Sequence, residues 1–317
     1  MTALAAAAGS APRFSVVVPA YNAAATLGRT LESVLAQTWP AHEIIVVDDG
    51  SSDTTAEVAS RWGSRITCIR QANAGPSAAR NCGVQAASGD WIAFIDADDW
   101  FHPDRLQAHA EMILADPALD FLVAGFDYAD VDGRIFDQSL PHSMLGRRLT
   151  KLHGARGKAT LTTDEIGEFI AQQFSDTRSL SLPRKTFVEL GGFPLDLRIC
   201  EDLVFMIRLC SASRHAGVVC SSLSVYVVHD AGLIRSNRLR AQTESVRALQ
   251  TLRTELQEAP APVRRAWQRL LKEAYRDLAY FLAKEGRKGE AMAGLMQSFR
   301  FSPSWRDGRD MLSVLKG

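Results

Sequence analysis

Between residues 14 and 114, short apolar, β-branched runs alternate with segments of helical spacing, and this alternation constrains the fold more than any other feature. Phe14–Pro19, Glu43–Asp48, Arg65–Arg70 and Trp91–Asp96 read as strands. The intervening helices are expected around Leu27, Leu31, Val34 and Leu35, over Thr54–Trp62, over Pro76–Ala87 and from Pro103 to Leu114, with Asp120–Phe126 as a fifth strand. Strands apolar on both sides and linked by crossover helices form a mainly parallel sheet with helices on both faces. Ligands of such sheets sit beyond the carboxyl ends of the strands.

After residue 130 the alternation lapses. Asp130–Gly157 reads as loop-rich and carries a basic stretch of Arg147, Arg148, Lys151, Arg156 and Lys158. Thr163–Gln173 and Asp202–Ser211 are expected to be helices, Gly191–Phe193 a turn and Val218–Val228 a strand. Beyond Arg238 only helices are expected, with Val263, Trp267, Leu270, Leu271, Ala274, Tyr275, Leu278 and Phe281 forming one amphipathic stripe. The expected fold class is therefore α/β, with a C-terminal helical appendage.

Charge divides along the same line. Lys plus Arg and Asp plus Glu both number 36, but residues 231–317 hold 17 cations against 9 acids, a net +8, and residues 1–230 carry −8. A neutral chain argues against a dedicated nucleic-acid binder. The five cysteines form no CxxC pair, so reduced and mostly buried thiols are expected. The Ala-rich start is too short and uncharged for a secretory signal, and no apolar run nears the ~20 residues of a membrane span. These features suggest a cytoplasmic protein, at most peripheral at the inner face of a membrane.

Two acidic clusters stand at strand ends, Asp48-Asp49-Gly50-Ser51-Ser52-Asp53 and Asp96-Ala97-Asp98-Asp99. Adjacent carboxylates are costly unless something positive lies between them. Mg2+ or Mn2+ answers this economically, because either takes one or two carboxylates plus phosphate oxygens. Asp53 is better read as a helix cap.

Four segments in order, Ser15–Asn22, Val47–Asp53, Asn73–Asn81 and Asp96–Asp98, resemble the nucleotide-sugar-binding half of family 2 glycosyltransferases, which have the GT-A fold. More loosely, Gly191-Gly192-Phe193 with Glu201-Asp202 and Arg208-Leu209 is similar to the family's acceptor-side motif. Tyr226–His229 with Gly232, Arg235 and Ser236 is similar to its closing segment. The resemblance implies a division into a flexible tail (1–13), a nucleotide-sugar-binding half (14–130) and an acceptor-binding half (131–237), followed by the basic helical segment (238–317).

It also implies roles. Tyr21 would pack on the nucleobase, Pro19 and Ala20 would line that pocket, and Asp49 would accept from uracil N3 of a UDP-sugar. Arg80 would approach the base or diphosphate, Asp96 the ribose, with Ala97 between it and Asp98. Asp98 would hold the divalent metal, flanked by His229. The alternatives are a core Tyr21, a surface Arg80 and a structural His229. Asp202, with Glu201 as competitor, would take the proton from an acceptor hydroxyl; a helix cap is the plainer role. In-line displacement would invert the anomeric carbon. The acceptor would be a glycan, a lipid-linked sugar or another hydroxyl compound. The basic C-terminal helices are either a solvated face or a contact for anionic lipid.

Other enzyme classes lack their signatures. Pro19-Ala20-Tyr21-Asn22 replaces the Gly-x-Gly-x-x-Gly turn of a dehydrogenase, and no Gly-x4-Gly-Lys-Ser/Thr is present. A nucleotide-sugar-binding scaffold without turnover, and less favourably a sugar nucleotidyltransferase, stay open.

Overall fold

β1 (Phe14–Ala20) is buried along its whole length, as a strand covered on both faces must be. The structure, a computed structural model, describes residues 11–229, 238–301, 303 and 305–316. Residues 1–10 of the expected tail, and Gly232, Arg235 and Ser236, lie outside the described residues. Pro12 is buried, and Arg13 pairs with Asp90 at 2.9 Å.

Chain contacts divide the protein into two units. The first comprises Met1–Thr162, Gln172–Leu195 and Ser213–Val228; the second comprises Thr163–Ala171, Asp196–Ala212 and His229–Gly317.

The first unit begins with the expected alternation. After β1 come α1 (Leu27–Leu35), β2 (Glu43–Asp48), α2 (Thr55–Ser60), β3 (Thr67–Arg70), α3 (Pro76–Ala86) and β4 (Trp91–Phe94). β1 pairs in parallel with β2 and β4, and β2 with β3, so their carboxyl ends share one edge. α3 lies close over β1: a Cβ on Gly83 would stand 2.4 Å from the Val17 side chain.

The other half is mixed. It contains β5 (Trp100–Phe101), α4 (Arg105–Ala115), β6 (Phe121–Ala129), β7 (Ile135–Gln138), α5 (Met144–His153) and β8 (Lys158–Leu161). After α6 (Thr163–Gln172), it resumes with β9 (Ser181–Pro183), α7 (Arg184–Glu189) and β10 (Ala216–Val227). Strand order is β3-β2-β1-β4-β9-β6-β10-β5, with β7 on β6 and β8 on β10. β9 runs antiparallel to both β4 and β6 and so separates the expected fifth strand from the first four. Fully buried Arg105 holds β9 in place, donating to the Leu180 carbonyl (2.7 Å) and to Ser181 Oγ (3.0 Å).

Asp130–Gly157 is more ordered than its loop-rich reading. α5 forms there because Leu145 and Leu149, four apart, are buried together, and Ser143 Oγ caps it by accepting from Gly146 N–H at 3.0 Å. The cysteines are free, but only Cys210 and Cys220 are buried, so the mostly buried expectation fails.

The second unit is helical: α6, α8 (Glu201–Ala212), α9 (Arg238–Glu255), α10 (Ala261–Lys284), α11 (Lys288–Phe301) and α12 (Trp305–Lys316). Its core is the expected stripe: Val263, Trp267, Leu271, Ala274 and Tyr275 are buried, and Leu270, Leu278 and Phe281 partly so. Trp267 Nε1 donates to the Leu249 carbonyl at 2.8 Å, satisfying the polar atom that a buried indole brings. Arg208 on α8 grips Glu255 on α9 through two 2.8 Å bonds. Among the described residues, no helix is long and apolar enough to cross a membrane.

Candidate active site

The carboxyl-end edge of β1, β2 and β4 gathers most of the residues singled out above. Where β2 ends, Gly50 adopts φ +75°, and a Cβ there would stand 2.8 Å from the Asn73 backbone nitrogen. That approach lets Asp49 reach the loop before α3. Its Oδ1 accepts from Gln71 Nε2 (2.7 Å) and Ala74 N–H (2.9 Å), and its Oδ2 from Gly75 N–H (2.8 Å). The Asp49 N–H in turn donates to the Ala20 carbonyl at 2.8 Å. Three acceptor positions of about four are taken, leaving one on Oδ2.

The β1 turn is bound to the same loop. Asn22 N–H donates to Ser51 Oγ, while Asn22 Oδ1 accepts from Ser52 N–H, both at 2.9 Å. Asp53 accepts from Thr55 N–H at 3.0 Å and from Ala24 N–H at 3.1 Å, tying the start of α2 to the neighbouring turn from one residue before the cap position, which is Thr54. Pro19 and Ala20 are buried beneath, whereas Tyr21 is 55% exposed, so Tyr21 is not a core residue.

At the end of β4 the structure changes the charge argument. Arg80, buried on α3, donates from Nη2 to Asp96 Oδ1 at 2.6 Å, so it is not a surface cation. Burial works against the charge on Asp96, but Arg80 and then Arg178 outweigh it and hold the carboxyl below its ordinary value. Asp99 is buried two residues beyond Ala97; its Oδ2 accepts from Arg178 Nε (2.7 Å) and its Oδ1 from Val227 N–H (2.8 Å). Burial pushes Asp99 up, to about 8, with Arg178 opposing and Asp96 and Asp98 adding to the rise. Arg178 stacks on the Tyr226 ring at 4.1 Å and also meets Asp176. Two arginines, not an ion alone, therefore answer the carboxylate excess.

Asp98 differs from its neighbours in being half-exposed beside buried Ala97 and Asp99. Among the described residues, no group of three or more His, Cys, Asp and Glu could hold a metal ion. The donor set suits a cation completed by phosphate oxygens rather than a protein cage.

The remaining candidates belong to the second unit. Glu201 and Asp202 are the first two residues of α8, half-exposed, and Asp202 Oδ1 accepts from Leu203 N–H at 2.7 Å. Asp202 thus sits inside the helix rather than at its cap. Cys200 precedes them with φ +63°, unusual for a residue with a Cβ, and its Sγ lies 3.2 Å from Ser245 Oγ on α9. His229 follows the end of β10 by two residues and is half-buried.

Sequence reasoning missed Arg178. Its partner Asp99 lies 79 residues away, and the only available signal was that three carboxylates in four residues require positive charge nearby.

Comparisons with known proteins agree on the family and the fold. The family description "Glycosyl transferase family 2" matches residues 15–180. YibD of Escherichia coli, described as an uncharacterized glycosyltransferase, is 37% identical over 139 residues, which span 43% of this chain and 40% of that protein. The chain thus spans well under two thirds of that relative's length. Among solved structures, S. aureus TarS in complex with UDP-GlcNAc superposes with a TM-score of 0.66 at 19% identity, over 92% of this chain and 82% of that one. The mannosyltransferase PcManGT from Pyrobaculum calidifontis, in complex with GDP-Man and Mn2+, gives a TM-score of 0.60 at 19% identity, over 97% and 80%. With a GT-A-like α/β fold and a family match across more than half of its length, the chain belongs to glycosyltransferase family 2.

Proposed function

We propose that the protein is an inverting transferase that moves a sugar from a nucleoside-diphosphate donor, a UDP-sugar, to a hydroxyl of a glycan or lipid-linked acceptor. The observation that carries this reading is the corner where exposed Tyr21 and the anchored Asp49 carboxylate stand at the ends of β1 and β2. Tyr21 would cover one face of the nucleobase, above Pro19 and Ala20. The one acceptor position left on Asp49 suits the single N3–H of uracil. Asp96, kept ionised by Arg80, would accept from a ribose hydroxyl, and Arg80 would add positive charge toward the diphosphate.

Asp98, with His229 flanking, would hold Mg2+ or Mn2+ together with diphosphate oxygens; a solved neighbour binds Mn2+ with its donor. When bound, that cation stabilises charge on the departing nucleoside diphosphate. Asp202 would accept the proton of the attacking hydroxyl, with Glu201 as the competitor, and the first turn of α8 suits either carboxylate. Displacement from the face opposite the leaving group inverts the anomeric carbon, so an α-linked donor gives a β-linked product.

Two variants test these assignments. Asp202→Asn is expected to bind nucleotide and metal as the parent does while transfer falls at least ~100-fold, the scale of a general-base contribution. Near-parental transfer would remove Asp202 from that role. Asp98→Ala should abolish the Mn2+-dependent part of donor binding, and unchanged binding would undo the metal assignment. A thermal-shift screen of UDP-, GDP- and dTDP-sugars with Mn2+ identifies the donor, because only a ligand of the folded state raises the melting temperature.

A further inference from the structure

The edge formed by the carboxyl ends of β1, β2 and β4 continues past β9, which is antiparallel to both β4 and β6, to the ends of β6 and β10. There the chain sets three aromatic rings that the donor reading leaves unused. Tyr128 on β6 lies opposite Tyr226 on β10, and the two rings meet edge to face at 5.9 Å between centroids. The third ring comes from β7. Ala129 pairs with Ile135 and Tyr128 with Asp137, which makes Phe136 an extra residue. Such a bulge re-aims a side chain. Here it lays the Phe136 ring along Tyr128, with planes 29° apart and centroids at 6.3 Å, and leaves Phe136 61% exposed. Carboxylates border the rings. Burial, then the charge of Asp176 and, against Arg178, that of Asp137 raise the Tyr128 phenol above its ordinary value, so it stays protonated beside both acids. Asp137 accepts from Gln138 N–H and meets His142, each at 2.8 Å, with acceptor positions to spare. Arg178 ties the cluster to the end of β4: its guanidinium stands 4.1 Å from the Tyr226 ring centre and 5.1 Å from that of Phe126 while it holds Asp99, the residue after Asp98.

We propose that the surface made by Tyr128, Phe136 and Tyr226 is an acceptor subsite that takes a sugar ring, so that the acceptor is a glycan ending in a pyranose with an open face of axial C–H bonds. This subsite rests on the transferase reading above and narrows its acceptor. A pyranose face of axial C–H bonds is apolar, and its hydrogens are weakly positive, which suits the negative face of an aromatic ring. The equatorial hydroxyls of the same sugar point sideways, where Asp137 and Asp176 can accept from them as charge-assisted bonds. An acyl chain would cover the rings equally well, but it would take both carboxylates out of water with nothing to donate to them. An anionic headgroup would meet two like charges. Position agrees with chemistry, because Arg178 joins the platform to the segment that carries Asp96 and Asp98.

The test is saturation-transfer NMR of the full chain with UDP and Mg2+, with cellobiose and N,N′-diacetylchitobiose as probes, because every ring of both carries axial C–H bonds. Binding of at least one is expected, with saturation strongest on the axial protons. Phe136→Ala should weaken that binding about tenfold, the upper scale of one aromatic contact, and Phe136→Trp should restore it. Both variants should melt at the parental temperature, because Phe136 is mostly exposed and its loss opens no cavity. A ring that served only to hold the hairpin together would move the melting temperature instead. The subsite is overturned if neither disaccharide binds, or if Phe136→Ala binds them as the parent does. It is equally overturned if Phe136→Ala turns a dimer into monomers while sugar binding stays unaltered, which would make the rings a contact between copies of the chain. A chain that binds a UDP-sugar but neither disaccharide loses only this subsite. One that binds the disaccharides through Phe136 but no nucleotide sugar loses the transferase reading instead.

Discussion

At the scale of single residues, backbone geometry and burial dictate more than side-chain identity does. Gly50 combines a left-handed φ of +75° with a backbone nitrogen 2.8 Å from where its Cβ would be. A left-handed conformation alone costs roughly 1–2 kcal/mol in a residue with a Cβ. Gly50→Ala is therefore expected to lose at least about 2 kcal/mol in urea unfolding, and donor affinity with it because Asp49 moves. His109 presents a different constraint. Arg105 Nη1 can only donate, so its 3.0 Å bond makes His109 Nδ1 the acceptor and the ring neutral, with the proton on Nε2. Burial, then the charges of Arg105 and Lys158, hold this imidazole well below its ordinary value of 6.5. The unfolded chain takes up a proton below that value and the folded one does not, so stability falls with falling pH. Urea unfolding should show this loss setting in as the pH falls below 6.5, and His109→Gln should remove it from the unfolding profile.

At the scale of elements, legibility depended on where the stabilising contacts lie. The parallel half of the sheet was readable because its strands are continuous apolar runs and its helices repeat at the expected spacing. β9 was not, because three residues carry no period and their position is set by Arg105, 76 residues earlier in the chain. α5 was hidden for another reason: Gly146, Gly154 and the run of cations suggest a loop, while only Leu145 and Leu149 carry the helix. The candidate site divides in the same way. Asp49, Arg80, Asp96 and Asp98 stand in contiguous motifs, but the role of Arg178 exists only in the folded chain. The α8–α9 link offers a graded test. Glu255 in the Arg208 pair is nearly half exposed, so solvent screens most of the Coulomb energy. A double-mutant cycle with Arg208→Gln and Glu255→Gln should return a coupling of about 0.5–1 kcal/mol rather than several.

For the whole molecule, the feature that reorganises the sequence-level picture is that neither unit is a single stretch of chain. The second unit takes α8, with Glu201 and Asp202, out of a region that sequence reasoning had assigned to an acceptor-binding half. The opposite charges of the two ends of the sequence are therefore diluted rather than lost: acidic segments such as Thr163–Ala171 join the basic helices and leave the second unit at +3 against −3 in the first. Strand order carries a further consequence, and it concerns time. β10 is the last strand in the chain, yet it pairs with β6, β5 and β8. At roughly 5–20 residues per second, a ribosome needs on the order of ten seconds to travel from the end of β6 at Ala129 to the end of β10 at Val227. Throughout that interval the edge of apolar β6 that β10 will cover stays open, so the growing chain presents a pairing surface that the finished protein never shows, and its yield in a crowded cell depends on how well that edge is shielded.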